Sequence, residues 1–190
     1  MRDDLPNPPF SSLVHQVCGA PDLLGGVTLV TLGLTSLEPR LWLVHTVWVF
    51  GLLPLLWSRF RLRLLAAGVG YRPLPPNRLY PPILAGVAIF LALCAIALAR
   101  FRGPIPEPLA GGPGVAAAMG GLLALTGVLV AVSLRWLRWH AYALVLLLGC
   151  ASLFLGVPTG WPFLATGLLM AGSGLAALLR FLRRHPQILR

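Results

Sequence analysis

Four histidines, three cysteines, five carboxylates and fifteen arginines are the side chains here that could carry chemistry, and there is no lysine. His45 stands out by its surroundings, Leu43-Val44-His45-Thr46-Val47-Trp48. A neutral imidazole in an apolar run can ligate a metal, a haem or a chlorophyll-type pigment. It can equally hydrogen-bond Thr46 or a neighbouring carbonyl. His45 is therefore the cofactor-binding candidate, although no resident cofactor is expected. His140 opens a later apolar run at the opposite predicted membrane face, so the two rings are not expected to share a metal. His15 and His185 read as interfacial. Cys18, Cys94 and Cys150 are too scattered for a zinc motif, and no disulfide is expected.

The carboxylates exclude more than they suggest. Asp3, Asp4, Asp22, Glu38 and Glu107 all fall at the ends of apolar stretches or in loops. That removes the paired acids of general acid–base catalysis and the hard ligands of a magnesium site. It also argues against a proton- or cation-coupled transporter, which places ionisable groups within the membrane. Ser173, in Ala171-Gly172-Ser173-Gly174, lacks the first glycine of the Gly-x-Ser-Gly pattern of intramembrane proteases. No histidine lies in the apolar interior of its own or the preceding stretch to activate it. No catalytic residue and no metal ligand is assigned, and an enzyme is not expected.

These residues must be positioned by membrane helices. Apolar residues make up 57 % of the 190-residue chain and charged residues 11 %, against about 45–50 % and about 25 % in a soluble domain. The sequence predicts an all-α polytopic bundle of six spans: Leu23 to Leu37, Leu41 to Trp57, Pro82 to Ala99, Gly114 to Leu134, His140 to Val157 and Trp161 to Leu179. A crossing helix needs about 20 apolar residues, so the first span is short unless Pro21 and Asp22, which suit a helix's first turn, extend it. It either crosses or forms a re-entrant hairpin with the second, closed at Glu38-Pro39-Arg40. Six crossings with both termini cytoplasmic leave only Arg40, Arg100 and Arg102 outside, as the positive-inside rule asks. Trp42, Trp57, Trp136, Trp139 and Trp161 are expected at headgroup level.

The predicted organisation is a cytoplasmic segment 1–21, a six-helix domain 22–182 and a basic tail 183–190. Asp3, Asp4 and three prolines exclude a secretory signal. Phe10, Leu13, Val14, Val17 and Cys18 form one helical face, either an interfacial amphipathic helix capped by Ser11 or Ser12 or a packed lead-in. Arg59 to Leu65 continues the second span as an interfacial helix. Gly68 to Asn77 is turn chemistry, and Arg100 to Pro113 an extended external crossing.

Small residues indicate how such helices associate, because lipid is as apolar as leucine. Gly120, Ala124 and Gly127 line the fourth span, and Gly167, Ala171 and Gly174 the sixth. They are expected to pack spans four and six together, or each against span three. The arginines are the densest polar feature. Arg59, Arg61 and Arg63, with Arg180, Arg183 and Arg184, are expected to bind anionic headgroups or an acidic partner at the cytoplasmic surface. A nucleic-acid partner is not expected in so apolar a chain.

Two passages resemble a group of uncharacterised bacterial multi-pass membrane proteins. One runs from Gly174 through Arg180-Phe181-Leu182-Arg183-Arg184-His185-Pro186; the other is Gly70-Tyr71-Arg72. In that group the last helix ends in Arg-Phe-Leu-Arg-Arg-x-Pro, and a Pro-Arg-x-Gly-Tyr segment lies between early spans. Here Ala67-Gly68 stands where Pro-Arg would be. The resemblance implies topology and no known activity. The expected role is thus a non-catalytic accessory or scaffold subunit, or an orphan protein, of a bacterial inner membrane. It would act alone, as a homo-oligomer or with a membrane-protein partner. The alternatives are the substrate-binding component of a small-solute transporter and a haem or pigment protein using His45.

Overall fold

The computed structural model describes residues 19–66, 112–134 and 136–188. Every regular element among them is helical: α1 (Ala20–Leu37), α2 (Trp42–Val47), α3 (Leu53–Ala66), α4 (Gly112–Leu134), α5 (Leu137–Ser152) and α6 (Trp161–Arg184). A π-helical turn, Trp48–Leu52, joins α2 to α3, so that Pro39–Leu64 forms one apolar length of 26 residues. With α1, α4, α5 and α6 this makes five helices long and apolar enough to cross a membrane. The chain is a multi-pass membrane protein by this measure. The predicted third span, Pro82 to Ala99, and the N-terminal amphipathic segment lie outside the described residues.

Backbone chemistry sets the boundaries. Gly19, at φ 67°, leads into α1, and Pro21 occupies its first turn, where no N–H is needed. Glu38 precedes Pro39 and is extended, at φ −129° and ψ 96°, which stops α1. The helix therefore begins three residues before the predicted Leu23, and its 18 residues rise about 27 Å. Pro54, which cannot donate within a helix, follows directly on the π turn. Gly156, at φ 88°, ends the α5 segment. Pro186 stops α6 at Arg184. The interfacial continuation predicted from Arg59 is helical as far as Ala66.

The closest packing is between α1 and α6, which run antiparallel. Glycine recurs every seven residues on each: Gly19, Gly26 and Gly33 on α1, Gly160, Gly167 and Gly174 at and along α6. Gly19 faces Gly174, Gly26 faces Gly167 and Ala171, and Gly33 faces Gly160. A Cβ placed on Gly167 would lie 2.7 Å from the Val30 nitrogen, so backbone meets backbone. This corrects the expected pairing of spans four and six. Gly167, Ala171 and Gly174 face α1. Gly120, Ala124 and Gly127 face α5, where Gly120 abuts Cys150 and Gly127 lies opposite Ala143. Matched glycine rows let α1 approach α6 more closely than α4 could. Phe163, buried to 1 % exposure, is the α6 side chain that reaches the α4–α5 core.

The second crossing is held more lightly. Thr28 and Thr31 donate to the Leu24 and Thr28 carbonyls of their own helix, at 2.9 Å each. The Thr28 oxygen then accepts from the Trp48 indole at 2.9 Å, and the Thr31 hydroxyl is hydrogen-bonded to His45 Nδ1 at 2.8 Å. Lower down, Leu64 packs with Ala20, Phe181 and Ile188. This groups Arg59, Arg61, Arg63, Arg138, Arg180, Arg183 and Arg184 at one end of the bundle, while Arg40 stands at the other.

The glycine contact makes a test. Gly167→Ala should lower stability in detergent by about 1–3 kcal/mol through overpacking. Gly172→Ala, one turn on, meets nothing within 4 Å and should be neutral or raise stability by up to about 1 kcal/mol. Paired thermal or denaturant melts of the two variants check this.

Candidate functional site

A cluster of polar side chains among the described residues lies at the basic end. Asp22 lies in the first turn of α1 and is 6 % exposed. Its carboxylate accepts from the Trp139 indole at 2.9 Å and from Arg138 Nη1 at 3.3 Å. The N-terminus of α1 adds favourable partial charge. Asp22 fits there because Gly174 faces it: a Cβ on Gly174 would come within 2.9 Å of the Asp22 Cβ. Trp136 and Trp139, expected at headgroup level, pack against each other at this end of the bundle. Trp136 is buried against Trp139, ring centroids 5.5 Å apart, and Trp139 serves Asp22. Trp42 and Trp161 do remain exposed.

Beside this cluster lies a cavity of about 470 Å³ lined by Arg138, Arg180 and Arg184, with Ser173, Ala176, Ala177 and Phe181 as its remaining wall. The α6 residues repeat at helical spacing, and Arg138 arrives from α5, anchored by Asp22. Ser173 donates to the Met170 carbonyl at 3.0 Å. Its hydroxyl is also hydrogen-bonded to that of Tyr142, at 2.6 Å. The serine is thus a hydrogen-bonded wall residue. Guanidinium groups with their donors around a common space suit a phosphate or carboxylate, which they bind through charge-assisted and bidentate bonds.

The sequence-predicted residues separate into three groups. Arg180 and Arg184 line the cavity; Arg183 is exposed on the same helix end, and Arg59, Arg61 and Arg63 belong to α3 at the same end of the bundle. His45 lies elsewhere, bonded to Thr31, nine residues along α1 from Asp22, or about 14 Å of helix. That hydrogen bond engages Nδ1 of the His45 ring. No cluster of three metal-ligating side chains occurs among the described residues. Cys150 is free and buried in the α4–α5 core; Cys18 and Cys94 lie outside the described residues. Sequence reasoning missed Asp22, Arg138 and Tyr142. The available signal was a lone acid one residue before an apolar run.

Comparison with protein-family models, with curated proteins and with solved structures finds no match for this chain.

The Asp22–Arg138 pair should be the ion pair that matters to stability. Arg138→Gln leaves a buried carboxylate to Trp139, and should cost about 2 kcal/mol after allowance for the half-exposed guanidinium. Arg40→Gln removes a pair at 3.8 Å whose arginine is 93 % exposed, and should change stability by less than about 0.5 kcal/mol. A double-mutant cycle with Asp22→Asn reads the coupling.

Proposed function

We propose that this chain is a non-catalytic inner-membrane protein of six crossings, an accessory or scaffold subunit that holds an anionic headgroup in the arginine-lined cavity. The observation that carries the reading is the convergence of Arg138, Arg180 and Arg184 on one space at the basic end. The grouping of arginines at that end supports a cytoplasmic orientation for it, and hence cytoplasmic termini. The end of α3 packs with Ala20 at the basic end, whereas α4 starts at the other, because it runs antiparallel to α5 and α5 starts beside Asp22. That geometry supports a sixth crossing by the predicted span Pro82 to Ala99.

The headgroup class follows from the donors. Three guanidiniums suit a phosphate monoester or diester at the membrane surface, where anionic lipid is abundant on the cytoplasmic leaflet. Arg138 is held by Asp22, which fixes one donor before the ligand arrives and so limits the entropy lost on binding.

Native mass spectrometry of the full chain, released from nanodiscs of mixed phosphatidylglycerol and phosphatidylcholine, tests this. One phosphatidylglycerol per chain should be retained in preference to phosphatidylcholine. Arg180→Ala with Arg184→Ala should lower that retention about tenfold, the effect of losing roughly 1.4 kcal/mol of binding, and Arg40→Ala should not. Equal retention of both lipids, or no effect of the double variant, contradicts the reading. A stoichiometric protein co-extracted from the host membrane would support the subunit role; a chain carrying lipid alone would count against it.

A further inference from the structure

A second cavity, of about 210 Å³, lies among α1, α4, α5 and α6, on the far side of the Tyr142–Ser173 hydrogen bond. Its lining is mostly apolar, with Leu29, Leu123, Leu146 and Met170 among its walls. It also holds the Thr166 side chain. Thr166 is 1 % exposed, and its hydroxyl has no hydrogen-bond partner among the described residues. That is unusual in this chain. The other helical threonines among the described residues, Thr28, Thr31, Thr35, Thr46 and Thr126, all donate to a carbonyl three or four residues back, at 2.7–2.9 Å. Thr166 has the same helical setting and does not. A buried hydroxyl left without a partner is costly, and more so where no bulk water can reach it.

We propose that this cavity is a binding site for a lipid-soluble carbonyl compound, held by apolar contact with the four helices and by a hydrogen bond donated from Thr166. The space exceeds the roughly 150 Å³ of an apolar protein cavity that admits benzene, so a single ring with a short substituent fits. The other polar side chains on the wall, Thr28, Thr126, Trp139 and Tyr142, are already hydrogen-bonded elsewhere. Thr166 is thus the donor left over, and it selects a ligand with one acceptor oxygen, a ketone or ester carbonyl, over a hydrocarbon of the same shape or a polyol. This site is independent of the arginine-lined cavity and does not rest on the headgroup reading.

The test uses the full chain in phosphatidylcholine nanodiscs and two probes of matched shape, 4′-fluoroacetophenone and 4-fluoro-isopropylbenzene, followed by ¹⁹F NMR. The ketone should give a saturable bound resonance and bind more tightly than the hydrocarbon. Thr166→Val keeps the shape and removes the donor. It should weaken the ketone about tenfold and the hydrocarbon less than twofold. Thr166→Ser keeps the donor and should retain ketone binding, which covers the case in which the valine variant does not fold. Gly127→Leu should abolish binding of both probes, because a Cβ there meets Ala143 at an ordinary 3.5 Å and the added branch enters the cavity. Three results would overturn the proposal. One is equal binding of ketone and hydrocarbon. Another is no loss with Thr166→Val. The third is no saturable binding of either probe, as when water or the chain's own apolar segment Pro82 to Ala99 already fills the space.

Discussion

In hydrocarbon, leucine gains little by touching leucine rather than lipid, so helices associate most firmly where small residues let their backbones come close. The approach of α1 to α6 satisfies that condition over the length of α1. Glycines at seven-residue spacing face one another from Gly19 and Gly174 at the basic end to Gly33 and Gly160 at the other. Large side chains lie on the outer faces, where Leu168, Leu169, Leu175 and Leu179 of α6 are exposed. Most other contacts in the bundle are weaker by comparison. The second crossing leans on α1 through two threonine-mediated hydrogen bonds and one apolar cluster.

The same contact sets up the polar chemistry. Because Gly174 has no side chain, Asp22 can sit at the α1–α6 seam, buried yet at the first turn of its helix. A carboxylate in that position has to be paired. Arg138 and Trp139 of α5 pair it, and this ties α5 to the α1–α6 unit. The arginine that meets this need on one side presents donors to the large cavity on the other. A stability device and a candidate binding device thus share one side chain. Arg180 and Arg184 join it because α6 runs on to Arg184, beyond the predicted end of its apolar stretch at Leu179.

Much of the helical framework was legible in the sequence, because length and apolar runs alone indicate crossings. Pro39 and Pro186 stop α1 and α6 where backbone sterics require. The Arg59 extension as helix followed from its lack of turn residues. What was not legible were the relations between helices. The small-residue stripes of α4 and α6 were visible one helix at a time, but their partners were not. Reading the first span from Leu23 left Gly19 outside the pattern and hid its seven-residue row. Asp22 was legible as a first-turn helix residue, but its burial was not. Thr166 carries no sequence signal, since threonine is ordinary in an apolar helix and its missing partner is a property of three-dimensional placement alone. The bond from Trp139 to Asp22 was hidden for a similar reason: a headgroup-level ring has the same sequence context whether or not it also bonds a buried acid.

The most direct measurement is disulfide trapping of the α1–α6 register in a chain whose three native cysteines are replaced. Gly160 faces Gly33 and the Leu37 side chain. Under mild oxidation, Leu37→Cys with Gly160→Cys should crosslink in high yield within one chain. Ala20→Cys with Gly160→Cys, which lie at opposite ends of the bundle, should not. If the cysteine at 160 failed to trap 37 and instead trapped Pro113→Cys, at the start of α4, then α6 would be packed on α4, and the account built on the α1–α6 glycine contact would be wrong.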